Sequence, residues 1–128
     1  MQRIIAGIVA AVLAANGVVM LFAGRWWYGA VPGVTETGPF NPHFVKDIGA
    51  AYLICAAALA WRAARSVSTA ALGAVTAAAG FLTVHALIHI VDEISGPNAL
   101  GEFARDFPGV FLPALIAVWI ALPARKPT

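Results

Sequence analysis

Between Ile4 and Gly24 the chain is apolar at every position except Asn16. About 20 such residues in a helix cross a hydrocarbon layer of about 30 Å, so the run predicts a first membrane span over residues 4–24. Arg3 ahead of it imitates the charged start of a secretion signal. Such signals carry an apolar stretch of only about 7–15 residues, and a retained span is expected. Trp26, Trp27 and Tyr28 follow, amphipathic rings of the kind that settle in the headgroup layer. Pro32, Gly33, Gly38 and Pro39 mark the outer loop 25–41 as structured. Asn41-Pro42 then supplies a helix start, with an asparagine cap and a proline at the first helical position, where its missing N–H costs nothing.

The second helix is expected from Pro42 to about Ala64, spanning at 43–62, with Ile48 to Trp61 as its apolar part. A basic turn, Arg62 to Thr69, leads to a third span at 69–92 whose helix closes at Ser95-Gly96-Pro97. Residues 97–106 are expected as a short interfacial helix or loop. A fourth and shorter span at 107–123 opens at Phe107-Pro108 and ends near Leu122-Pro123, with Pro113 kinking it or marking its true beginning. The pattern predicts a single all-α domain over residues 1–128: an up-down four-helix bundle integral to a membrane.

Composition strengthens that picture. Of 128 residues, 61% are hydrophobic and 11% charged, against about 25% charged in a soluble domain. A chain this short cannot bury so much apolar surface in its own core, so the surplus faces lipid. The formal net charge of +2 is scattered, which argues against nucleic acid as a partner. Charge placement sets an expected orientation. With the N-terminus in the cytoplasm, Arg3, Arg62, Arg65, Arg125 and Lys126 lie inside and Arg25, Lys46 and Arg105 outside, as the positive-inside rule prefers. Both termini are then cytoplasmic, and all six acids (Glu36, Asp47, Asp92, Glu93, Glu102 and Asp106) fall outside. Gly7, Gly17, Gly49, Gly73, Ala77 and Gly80 are small enough to let helices approach closely in lipid. The single Cys55 rules out an internal disulfide and reads as a small buried hydrophobe.

The candidate chemistry gathers at the outer end. His43 and Asp47 are four residues apart at the start of the second helix, and His85, His89 and Glu93 repeat that spacing near the end of the third, with Asp92 beside them. Four-residue spacing places side chains on one helix face. Counting about 1.5 Å per residue, His85 lies roughly 10 Å below the outer boundary and Asn16 roughly 12 Å. Asn16, Tyr52 and His85 therefore form one expected layer, with His43, Asp47, His89 and Glu93 in the layer above. Imidazoles and carboxylates on two helices suit a divalent metal such as zinc, copper or iron. A haem between His43 and His85 or His89 is the lesser alternative, since nothing marks a porphyrin pocket. The plainer reading is a structural polar network, with Asn16 in an interhelical hydrogen bond and His43 capping or pairing with Asp47 or Glu93. No phosphate loop, GxSxG elbow or CxxC occurs. Ser66, Ser68 and Thr69 fall on the opposite side from every histidine, so a Ser-His triad is excluded. Arg62 and Arg65 are expected to anchor lipid phosphates.

The stretch WWYGAVPGVTETGPFNPHFVKDIGAAYL (residues 26–53) and HALIHIVDE (residues 85–93) resemble a group of small bacterial membrane proteins with four predicted spans. At fold level the chain is also similar to DoxX-type four-span proteins. The resemblance covers most of the chain and implies architecture only; the favoured reading is a four-span protein of the bacterial inner membrane. No motif carries over functional residues. Three classes of function stand: a periplasm-facing pocket for a metal or small ligand, an accessory subunit of a larger membrane complex, and an oligomeric pathway for small solutes or protons. Nothing marks the chain as an enzyme.

Overall fold

A computed structural model describes residues 1–122. It is helical throughout, with α1 (Gln2–Phe22), α2 (Gly24–Ala30), a 3-10 turn (Val34–Thr37), α3 (Pro42–Ala64), α4 (Thr69–Ser95), α5 (Ala99–Asp106), a π-helical turn (Phe107–Phe111) and α6 (Leu112–Ala121). Four helices are long and apolar enough to cross a membrane: α1, α3, α4 and the continuous Ala99–Ala121 helix. The chain is a multi-pass membrane protein by that criterion. Expectations for Pro123, Arg125 and Lys126 lie outside the described residues.

Local chemistry accounts for the starts. Asn41 caps α3, its side-chain oxygen accepting from the backbone N–H groups of His43 (3.0 Å) and Phe44 (3.2 Å), and Ser68 caps α4 through the Ala71 N–H at 3.2 Å. Each bond satisfies a donor that the first helical turn leaves orphaned. The first helix breaks at Ala23, and α2 doubles back: the Trp27 indole N–H donates to Asn16 Oδ1 at 2.7 Å. In one straight helix those residues would stand about 16 Å apart along the axis. Tyr28 donates to the Gly38 carbonyl, and its ring packs against Phe40. The loop after α1 is thus pinned to the bundle.

The spans form a closed ring, α1 on α3, α3 on α4, α4 on α6 and α6 on α1. Leu59, Met20, Val75 and Ile120 are the large side chains at its dry centre. The tightest approach joins α1 and α3. A Cβ on Gly17 would stand 2.7 Å from the Gly49 carbonyl oxygen, and one on Gly49 would stand 2.8 Å from Met20 Cβ. Of the other small residues, Gly7, Gly73 and Gly80 border open space, and Ala77 is exposed; they face away from the crossing. Gln2 reaches the Trp119 carbonyl at 3.4 Å and Arg3 the Ala63 carbonyl at 2.7 Å, so the starts of α1 and the ends of α3 and α6 share one end of the bundle. The acids occupy the other.

The last span differs from the expectation of an interfacial segment followed by a short helix. Residues 99–106 are helical and run on into α6, making one helix of 23 residues. Pro108 and Pro113 do not break it because the turn between them widens: the Leu112 N–H bonds the Phe107 carbonyl, five residues back. A wider turn gives room to carbonyls that proline rings otherwise strike in an α-helix.

Candidate functional site

At the acidic end, α4 continues its buried stripe into polar residues. Leu82 and Ala86 are buried, and His89 and Glu93 follow on the same face at about 100° per residue. The end of α5 sets Asp106 opposite them. His89 Nδ1 lies 2.9 Å from Asp106 Oδ2, and Arg105 Nε donates to the other Asp106 oxygen at 2.8 Å. The Arg105 Nη1 then donates to Glu36 Oε2 at 2.9 Å, tying the last helix to the 3-10 turn of the loop. Arg105 lies over Gly33, whose φ of +83° and missing Cβ leave room for the guanidinium.

Glu93 is the unsatisfied member of this network. Its residue is only 4% exposed, and among the described residues its Oε1 has no hydrogen-bond partner. Leaving a buried carboxylate oxygen without a donor costs on the order of several kcal/mol, a cost that a proton or a cation there would lower. One ligand atom each from His89, Glu93 and Asp106 lies within 4.8 Å of the others. No other group of this kind occurs among the described residues.

Deeper in the bundle, the His85 ring lies 4.9 Å from the His89 ring. His85 Nε2 is 3.1 Å from the Tyr52 hydroxyl on α3, and Phe81 stacks on the same imidazole with ring centroids 6.0 Å apart. The expected pairing of Tyr52 with His85 is therefore present as a direct contact. Asn16 is engaged by Trp27 instead.

His43 and Asp47 are not drawn into the group. They pair with each other at 3.4 Å, with side chains 88% and 62% exposed. The buried stripe of α3 runs through Val45, Gly49 and Tyr52, and residues 43 and 47 fall about 160–200° round the helix from it. Asp92 is likewise exposed, about 100° round α4 from the buried Glu93. A haem held between His43 and an α4 histidine finds no support in this placement. Asp106, Arg105 and Glu36 are the members of this polar group that the sequence pattern did not single out. Their one signal was the adjacency of Arg105-Asp106 to the two-proline segment.

No family model matches the chain, and no curated protein or solved structure does either. What the site can do rests on its own atoms. Ligands about 2.1 Å from one tetrahedral ion stand about 3.4 Å apart, so a group spread over 4.8 Å closes on a metal with side-chain shifts of about 1 Å. Asp106 would keep its Arg105 bond while offering Oδ2. Arg105 would hold that carboxylate in place, as outer partners of metal ligands do. Two carboxylates, Glu93 and Asp106, against the one guanidinium of Arg105 leave the site with one negative charge in excess, which a divalent cation more than offsets.

Proposed function

We propose that this is a bacterial inner-membrane protein, both termini cytoplasmic, that binds a divalent transition metal (zinc, copper or iron) at its periplasmic end through His89, Glu93 and Asp106. The observation that carries the reading is the buried, unpartnered Glu93 oxygen within ligand range of His89 and Asp106. An imidazole beside two carboxylates suits borderline metals, and the orientation follows the five-to-three distribution of basic residues expected from the sequence, which counts Arg125 and Lys126 beyond the described residues. The test is metal analysis of detergent-purified protein, followed by chelation and reloading with zinc, copper(II) or iron(II). About one ion per chain is expected, lost in Glu93→Gln and His89→Ala and kept in His43→Ala. Stoichiometric binding that survives both site substitutions would sink the assignment, as would no binding at all.

A second reading is favoured by one observation. Tyr52, His85, His89 and Asp106 follow one another from the buried face of α3 to the acidic end, with hydrogen-bond distances at Tyr52–His85 and His89–Asp106 and a ring contact between the two imidazoles. Such a chain is suited to passing protons, in a homo-oligomer that completes the pathway. Proton flux in proteoliposomes that is indifferent to His85→Ala would remove this alternative.

A further inference from the structure

The opposite end of the bundle carries a buried charge of the other sign. Arg62, in the last turn of α3, is only 9% exposed. Among the described residues its Nε has no hydrogen-bond partner and no carboxylate pairs with it. Among the described residues none is near: every Asp and Glu lies in the loop, the first turns of α3, the end of α4 or α5. An arginine that merely snorkelled would bury its stem and leave its head in water; here the Nε is enclosed.

Arg62 lines a cavity of about 20 Å³ with Gln2, Arg3, Ser66 and Ile120. Arg3 reaches it from the first turn of α1, its guanidinium fixed by the Nε bond to the Ala63 carbonyl. That bond leaves the outer N–H groups of Arg3 unpartnered among the described residues. Two guanidiniums and the Ser66 hydroxyl thus line the cavity beside the Gln2 amide, which also donates to the Trp119 carbonyl, and among the described residues no acceptor of matching charge faces them. The enclosed volume suits about one water-sized atom group, enough for one anionic oxygen, with the rest of the anion seated in the opening. Arginine forks match the geometry of phosphate oxygens. The opening lies at the ends of α1 and α3, where a bilayer places its phosphates.

We propose that Arg62 and Arg3, assisted by Ser66 and Gln2, bind a phosphate group, supplied in the membrane by the headgroup of an anionic phospholipid. This site is separate from the metal site and stands or falls without it. The test uses full-length protein, delipidated in mild detergent, with dioleoylphosphatidylglycerol, dioleoylglycerol or inorganic phosphate added. Lipid retention is read by native mass spectrometry and stabilisation by the thermal midpoint. Phosphatidylglycerol should bind and raise the midpoint, and dioleoylglycerol, which lacks the phosphate, should do neither. Arg62→Gln and Arg3→Gln should each weaken binding by about tenfold, the scale of one charge-assisted hydrogen bond. Arg3 is exposed, so its variant keeps the test valid if Arg62→Gln fails to fold. Stabilisation by inorganic phosphate alone would uphold the phosphate site and overturn a lipid as its source. Equal phosphatidylglycerol binding by wild type and Arg3→Gln, or equal retention of dioleoylglycerol, would overturn the proposal.

Discussion

Glu93 and His43 make opposite demands, although both are polar residues at the same end of the bundle. Glu93 is enclosed with an unsatisfied oxygen. Replacing it with glutamine removes the charge while keeping the shape, so Glu93→Gln should raise the thermal midpoint of metal-free protein and abolish its metal-dependent stabilisation. A midpoint unchanged in both states would mean that the carboxylate is solvated after all. His43 is solvated already. His43→Ala should shift stability by no more than about 0.5 kcal/mol, the usual range for surface substitutions, as a denaturant titration in detergent would register. The four-residue spacing of His85, His89 and Glu93 was legible in the sequence because a regular helix converts spacing into a shared face. The same spacing misled at His43 and Asp47. In α3 both the core-facing and the lipid-facing residues are apolar, so no polar stripe reveals which side is in. Asp106 was illegible for a different reason: it meets His89 only through the path of the last helix, which the sequence does not disclose.

At the scale of elements, the α1–α3 crossing is set by backbone contact. A methyl group on Gly49 would press on Met20 Cβ at 2.8 Å and on the Gly17 carbonyl at 3.0 Å, and neither atom belongs to a side-chain tip that can swing away. Gly49→Ala is therefore expected to destabilise by about 1–3 kcal/mol, the usual penalty of overpacking. Gly73→Ala, on open surface, should be neutral or slightly stabilising, since alanine is the better helix former. Equal unfolding midpoints for the two variants would show that the crossing relaxes freely. Long apolar runs and the Asn41 and Ser68 caps are enough to outline such helices from sequence. Which of the many small residues sit at a crossing is not, because alanine and glycine are common on every face.

For the whole molecule, the ring of spans puts the loop and the Arg62–Thr69 turn at opposite ends. The proposed orientation makes this checkable by thiol labelling in a Cys55→Ala background. Thr35→Cys in the loop should react with a membrane-impermeant maleimide in cells whose outer membrane alone is permeabilised. Val67→Cys, at 97% exposure in the turn, should react only after the inner membrane is opened. The reverse pattern would invert the molecule and move the metal site to the cytoplasm. The widened turn at Phe107–Phe111 has a consequence for chain length itself. It behaves as a one-residue insertion that the helix has absorbed without turning its two halves out of phase. Deleting Gly109, with Pro113→Ala to let the turn close, should leave both Asp106 and the packed face of α6 facing their present neighbours and metal uptake intact. Deleting Ala117 instead removes a residue from regular helix, where nothing absorbs it. The halves then swing by about 100° relative to each other, and the ring should fail to close.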